Sequence, residues 1–426
     1  GDKLLPETMG GGAAFFDMDG DGDPDVLLVN GMPWPDDPAF ADPPVHRLYR
    51  NDGSGRFADV TAGSGLDVPF YGFSPAVGDV DGDGDADLFV ACLGRDRLFL
   101  NDGTGRFTEV TDVAGIAGPD DGWSTGAGFL DHDRDGDLDL FVLRYVQWSP
   151  EIDAEVNFTL NGVDRAYGPP MNFRGTHNVL WRNDGDGTFT DVSAEAGIEV
   201  TNPATGEPMG KALALCFADV DGDGWIDVLV ANDTVANFAF RNRGDGTFEE
   251  IGAVSGLAYD GMGEATGAMG MDVGDLAGDG HLCVGIGNFA NEASSLYVQQ
   301  PGDPWQFADM AALHGIGSPS RLRLSFGFLF LDTDLDGRLD AVQANGHLED
   351  EINEIQPSQR YRQPAQLFWN AGPDARRRFV VLPDERVGDL ARPIVGRAAA
   401  AADVDGDGDE DVLLTQPGGP PLLLAN

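Results

Sequence analysis

The stretch Asp79-Val-Asp-Gly-Asp-Gly-Asp-Ala-Asp87 puts carboxylates at positions one, three, five and nine of a short loop, on Asp79, Asp81, Asp83 and Asp87. Alternate residues of a tight loop can turn their side-chain oxygens inward, and Gly84 at position six allows the sharp bend. Such a donor set suits Ca²⁺, a hard ion that takes about six to eight oxygens. Asp85, at position seven, would add its backbone carbonyl. An EF-hand loop starts similarly but closes on a glutamate about twelve residues in, between two helices. Here the ninth residue closes the loop and Leu88-Phe-Val90 follows at once, which leads into a strand.

The spacing recurs at Asp17, Asp19, Asp21 and Asp25; Asp131, Asp133, Asp135 and Asp139; Asp219, Asp221, Asp223 and Asp227; Asp332, Asp334, Asp336 and Asp340; and Asp403, Asp405, Asp407 and Asp411. Six copies are intact, so about six Ca²⁺ sites are expected. A seventh, Asp275-Leu-Ala-Gly-Asp-Gly-His-Leu-Cys283, has Ala277 and Cys283 where carboxylates belong, and is expected to bind weakly or not at all. One such loop could be a plain Asp/Gly turn. Six in one register, each running into an apolar strand, mark a repeat architecture.

The elements that must position these loops follow from the repeat. In the second copy, residues 74–78 enter the loop, 87–92 leave it, 97–107 form a hairpin and 107–111 form a last strand. Asn-Asp-Gly at Asn51, Asn101 and Asn183 and Asn-Arg-Gly at Asn242 are hairpin turns, since these residues tolerate the positive φ required. Four short strands, repeated seven times over 426 residues, predict an all-β fold, a single seven-bladed β-propeller over residues 1–426. The last repeat stops one strand short, and residues 3–8 are expected to supply that strand and fasten the ring. Strand order sends the acidic loops and Asn-Asp-Gly turns to one face. It sends the insertions 30–46, 143–178 and 344–365 to the other.

The formal charge of −47 mostly reflects the loops, and six bound Ca²⁺ would leave about −35. Such acidity argues against nucleic acid or an anionic membrane as partner, because both need a basic face. Cys92, Cys216 and Cys283 are too scattered for a disulfide framework and are expected as buried thiols. No apolar run approaches the about twenty residues of a membrane span, and Gly1 opens a polar stretch without a signal-peptide pattern. Many calcium loops without a regulatory helix fit a secreted or periplasmic, calcium-replete location, a leader having been removed. A cytoplasmic location stays open. The chain is expected to be a monomer.

The Asp-x-Asp-x-Asp-Gly-x-x-Asp repeats resemble the FG-GAP and VCBS repeats of integrin-type propellers. Ala231-Asn-Asp-Thr234, Arg241-Asn-Arg-Gly-Asp-Gly-Thr-Phe248 and Ala344-Asn-Gly-His347 are more closely similar to the cartilage acidic protein family and its bacterial ASPIC/UnbV-type relatives. The resemblance spans essentially the whole chain and implies a calcium-binding propeller. Members often carry a further small domain after the last repeat. Some propellers similar to this one are lyases, cyclases or alkylating enzymes that act at the axial mouth.

On the irregular face the sequence gathers Trp34, His46, Trp123, Tyr145, Trp148, Tyr167, Arg174, His177, Lys211, Asp233, Glu264, Arg321, Arg323, His347, Glu349, Tyr361 and Arg362. A working site is expected there, built from His177, Lys211, Asp233, Arg323 and His347. Trp123 and Trp148 would be its walls, and Arg174 and Tyr361 would be further ligand contacts. The leading reading is a site that binds a small molecule, glycan or protein. The alternative is a cofactor-free enzyme, with His347 and Glu349, or His177, Arg174 and Asp233, as acid and base. No Ser-His-Asp order, phosphate loop, His-Glu-x-x-His or dinucleotide fingerprint supports catalysis. Loops that simply cover the blade ends, in a purely structural protein, are the bland alternative.

Overall fold

The computed structural model describes residues 3–160, 162 and 164–426. Their strands form seven antiparallel sheets, six of four strands and one of three, with sequence neighbours paired throughout. Blade 2 consists of Gly72–Gly78, Asp87–Cys92, Arg97–Asn101 and Phe107–Glu109, with the 79–87 loop joining the first two strands. The first strands of successive blades lie side by side around the axis. The fold is a seven-bladed β-propeller, as expected.

Packing explains the sequence pattern. The second strand of blades 2 to 6 is buried along its whole length, for example Asp87–Cys92 and Asp227–Asn232. Neighbouring blades cover both of its faces, so between its polar ends it reads as a largely apolar run rather than an alternation. Phe16, Leu27, Leu88 and Phe99 fill the layer between blades 1 and 2, and Phe89, Leu98, Leu140 and Val142 fill the next. First strands crowd toward the axis and need small residues. A Cβ on Gly270 would stand 2.3 Å from the carbonyl oxygen of Phe326.

The expected closure by residues 3–8 does not occur. Leu5–Thr8 is a 3₁₀ helix, and blade 7 has three strands, Ala399–Ala402, Asp411–Leu414 and Leu422–Leu424. Leu4 and Leu5 are drawn instead into an aromatic cluster with Phe73, Trp123, Tyr145 and Trp148. The Leu5 amide donates to Asp153 Oδ2 at 2.8 Å, and Pro6 has no N–H to give a strand ladder.

Side-chain amides close the ring. In every blade the residue ending the third strand, or just beyond it, donates its side-chain N–H to the carbonyl at loop position two of the preceding blade. The pairs are Asn101 to Met18, Asn183 to Val80, Asn242 to His132, Gln299 to Val220, Asn370 to Leu276, Asn426 to Thr333 and, across the seam, Asn51 to Val404. All lie between 2.7 and 3.0 Å. The Gly55 amide adds a second bond to Val404 across the same seam, at 3.0 Å.

Candidate functional site

On the loop face, the first carboxylate of each repeat organises the turn. Asp79 Oδ1 accepts from the amides of Gly82 and Asp83, and Oδ2 accepts from that of Gly84. The ninth carboxylate is buried and ties the loop to the third strand. Asp87 Oδ2 accepts from the Val80 amide and Oδ1 from that of Asn101, and Asp25 repeats this with Met18 and Asn51. Burial lifts Asp25 and Asp87 to about 6 and Asp227 to about 7, and neighbouring carboxylates push the same way.

Positions one, three and nine have ligand oxygens within 4.8 Å of one another in the loops of Asp17, Asp79 and Asp219. Asp19 Oδ1, Asp131 Oδ1 and Asp219 Oδ1 are buried without a hydrogen-bond partner. Crowded, partly orphaned carboxylates of this kind could hold a divalent cation, which would offset their repulsion. The loop at Asp275 keeps the same turn, with Oδ2 accepting from the Gly280 amide, but its ninth position is the buried thiol of Cys283.

A cavity of about 250 Å³ opens at the axis on the opposite face. The segments that follow the second strands of blades 4, 5 and 6 supply most of its polar groups: Asp233 and Thr234, Asn291 and Glu292, and His347 and Glu349. Met269, Phe289 and Phe326 form apolar walls, and the 143–178 insertion contributes Phe158, Tyr167, Pro169 and Pro170. Tyr145 donates its hydroxyl to Asp233 Oδ2 at 2.6 Å. Burial lifts Asp233 to about 7; Tyr145 opposes the shift, Glu292 adds to it and Lys211 opposes it weakly. Asp233 pairs with Gly267 through a backbone bridge, and the Gly267 amide donates to Glu292 Oε2 at 2.7 Å. Both carboxyl groups therefore sit around one residue.

His347 accepts the Glu349 amide on Nδ1 at 3.0 Å, and burial, reinforced by Arg397, lowers its pKa to about 4. It is a neutral wall residue at ordinary pH. Glu349 accepts from the Tyr167 amide and from Lys3 Nζ.

Of the five residues expected to form the working site, Asp233 and His347 line this cavity together. The other three lie elsewhere. Lys211 donates to the Pro170 carbonyl at 2.7 Å and lines a separate shallow depression. His177 is half-buried with Nδ1 unpartnered, and Arg323 is half-buried near Asp384. Arg174 is exposed, 3.9 Å from Glu207, and Tyr361 gives its carbonyl to the His347 amide. Trp123 and Trp148 are buried in the aromatic cluster behind Tyr145, where Trp148 donates to Asp153. Glu292, Thr234 and the phenylalanine walls are additional to the expected set. The detectable signal was positional, since Glu292 follows a second strand as Asp233 and His347 do.

Fold and loops together define a propeller whose blades carry acidic loops on one face and an axial cavity on the other. The family model for the FG-GAP-like repeat matches residues 17–90, 79–142, 171–230 and 219–282, more than half of the chain. The chain belongs to that family. A search of curated proteins found no match. Among solved structures, BBS1N in complex with ARL6DN is similar over 97% of this chain and 92% of its own, at 10% identity and a TM-score of 0.51. An Agrocybe aegerita lectin described as recognising non-reducing terminal N-acetylglucosamine matches over 88% and 80%, at 18% identity and a TM-score of 0.48. These likenesses concern the fold alone.

Proposed function

We propose that the protein is a calcium-binding propeller that holds a small ligand in the axial cavity opposite its acidic loops. The observation that carries this reading is the cavity itself, with apolar walls and a few convergent polar groups, the usual make-up of a small-ligand site. The loops beginning at Asp17, Asp79, Asp131, Asp219, Asp332 and Asp403 would each take one Ca²⁺, and the loop at Asp275 none. The crowded and unpartnered carboxylate oxygens support that assignment. Calcium would then act at the far ends of the strands that carry the cavity turns, setting their position without touching the ligand.

Within the FG-GAP-like family, the Ala231-Asn-Asp-Thr234 and Ala344-Asn-Gly-His347 stretches favour the cartilage acidic protein and ASPIC/UnbV-type branch. The same reading makes the protein an exported monomer in a calcium-replete space. Among the described residues, no helix is long and apolar enough to cross a membrane. One observation favours a second, enzymatic reading of lyase or cyclase type. Asp233, lifted to about 7 and held by Tyr145, is poised for proton transfer near neutrality.

The test is to soak crystals of the calcium-loaded protein with a chemically diverse fragment set, and to measure bound metal after dialysis against millimolar calcium. Fragments in the axial cavity and about six ions per chain are expected. Fragments confined to other surfaces would reject the ligand site, and two ions or fewer would reject the calcium assignment.

A further inference from the structure

We infer that the axial cavity is built for an organic cation, a primary or secondary amine with an apolar body, bound between Asp233, Glu292 and Thr234. The inference rests on the axial-site reading above and adds the chemistry of the occupant.

Asp233 and Glu292 each keep one oxygen free, and their carboxyl groups lie on either side of Gly267. Asp233 is 7% exposed, Tyr145 occupies its Oδ2, and among the described residues Oδ1 accepts no hydrogen bond. Glu292 uses Oε2 for the Gly267 amide and leaves Oε1 open. A Cβ placed on Gly267 would lie 3.2 Å from Asp233 Oδ1 and 3.6 Å from Glu292 Oε2, so the two carboxyl groups flank the same point. Thr234 lines the same cavity, and its Oγ1 is buried without a partner. Its backbone has φ of 62°, a left-handed conformation that costs a β-branched residue energy and is kept where the surroundings enforce it. Three acceptors match the three N–H donors of an ammonium group.

Charge points the same way. Among the described residues, no lysine or arginine lines the cavity, and no cation lies within ion-pair distance of Asp233 or Glu292. The cations nearby are engaged by other groups of the cavity wall, Lys3 forming an ion pair with the wall residue Glu349. Lys211 donates to the Pro170 carbonyl and Lys3 to Glu349, while Arg397 serves the carbonyls of Thr8 and Gly346 beneath the floor. A buried and a half-buried carboxyl group without an ion-paired cation are costly unless one keeps a proton, and a ligand ammonium can replace that proton. Phe289 offers aromatic surface to the apolar body and to the cation, while Phe326, whose ring carries the Arg397 guanidinium 4.3 Å from its centroid, adds apolar wall.

The test is calorimetric titration of the calcium-loaded protein with phenethylamine, phenethyl alcohol and phenylpropionate, three probes of similar shape and different charge. Phenethylamine should bind at least about tenfold more tightly than the alcohol, and phenylpropionate should not bind. Glu292→Gln and Asp233→Asn, each still cooperatively folded at the titration pH, should weaken the amine about tenfold and leave the alcohol unaffected. If the alcohol or the carboxylate binds as well as the amine, the cation assignment falls and the axial site stands. Amine binding that both variants leave intact overturns the proposal by locating the amine elsewhere. If none of the probes binds at millimolar concentration the proposal also falls, and the fragment soak then decides separately whether the cavity is a ligand site.

Discussion

Asn426 donates its side-chain amide to the carbonyl of Thr333 at 2.9 Å, and Asn51 makes the equivalent bond to Val404 at 2.7 Å. Blade 7 is thus linked on both sides by the bond that links every other pair of blades. A three-stranded blade can take its place in the ring because this link is made at the end of the third strand. Asn51 is fully buried, so Asn51→Ala should cost about 1–3 kcal/mol by removing its side-chain bonds to the Val404 and Pro24 carbonyls and the Gly53 amide. Asn426 is exposed, and Asn426→Ala should cost about 0.5–1.5 kcal/mol. Urea denaturation in calcium checks both. Unchanged midpoints would mean that packing alone holds the seam.

Chelation should lower the melting temperature strongly. Each ion bound only by the native state adds about 2.7 kcal/mol when free calcium is a hundred times Kd, and emptied loops leave carboxylates within 4.8 Å of one another. Thermal scans in EDTA and in millimolar calcium should therefore differ widely. Coincident scans would remove calcium from the folding of this protein.

Asp233 gives a pH signature. Its folded pKa, about 7, lies above the unfolded value of about 3.8, so the native state holds the proton more tightly. The stability this contributes is full below the unfolded pKa and is lost as pH rises toward 7, at roughly 1.4 kcal/mol per unit of displacement. Asp233→Asn removes the dependence. Relative to wild type, the variant should gain stability between pH 4 and pH 7 and then level off. A constant difference across that window would show that Asp233 titrates normally.

Cys92, Cys216 and Cys283 are free and buried, and burial raises all three thiols above their ordinary pKa. A thiol reagent should leave the calcium-loaded protein unmodified and label all three on unfolding. Rapid labelling in calcium would contradict the buried second strand that carries Cys92.

Gly267→Ala should damage the axial cavity selectively. The added methyl would come within 2.8 Å of Phe289 Cβ and 3.2 Å of Asp233 Oδ1. Amine binding should fall while bound calcium stays constant. Parallel loss of both would show that the substitution disrupts the blade as a whole.

The seven repeats could be read from the chain because their signals are local. Asp79 to Asp87 form a self-contained turn, and Asn101-Asp-Gly needs only its own backbone preferences. Closure could not be read that way. Leu5 looks like an edge-strand residue until the aromatic cluster that captures it is assembled from three distant segments. Trp123 and Trp148 illustrate the same limit, since loop position suggests a wall while packing makes them core. Asp233 and His347 line one cavity because strand order assigns them the same face. Glu292 was missed although the same rule, applied to the turn after Cys283–Asn288, reaches it.

Asp227 closes an acidic loop and Asp233 lines the axial cavity, at opposite ends of one buried strand about 20 Å long. The parts of each blade that must be alike for assembly and the parts free to differ are therefore kept a full strand length apart. A designer could vary the turns at residues 233–236 and 289–293, keep the Asp227 end untouched, and obtain a family of differently shaped sockets on one frame.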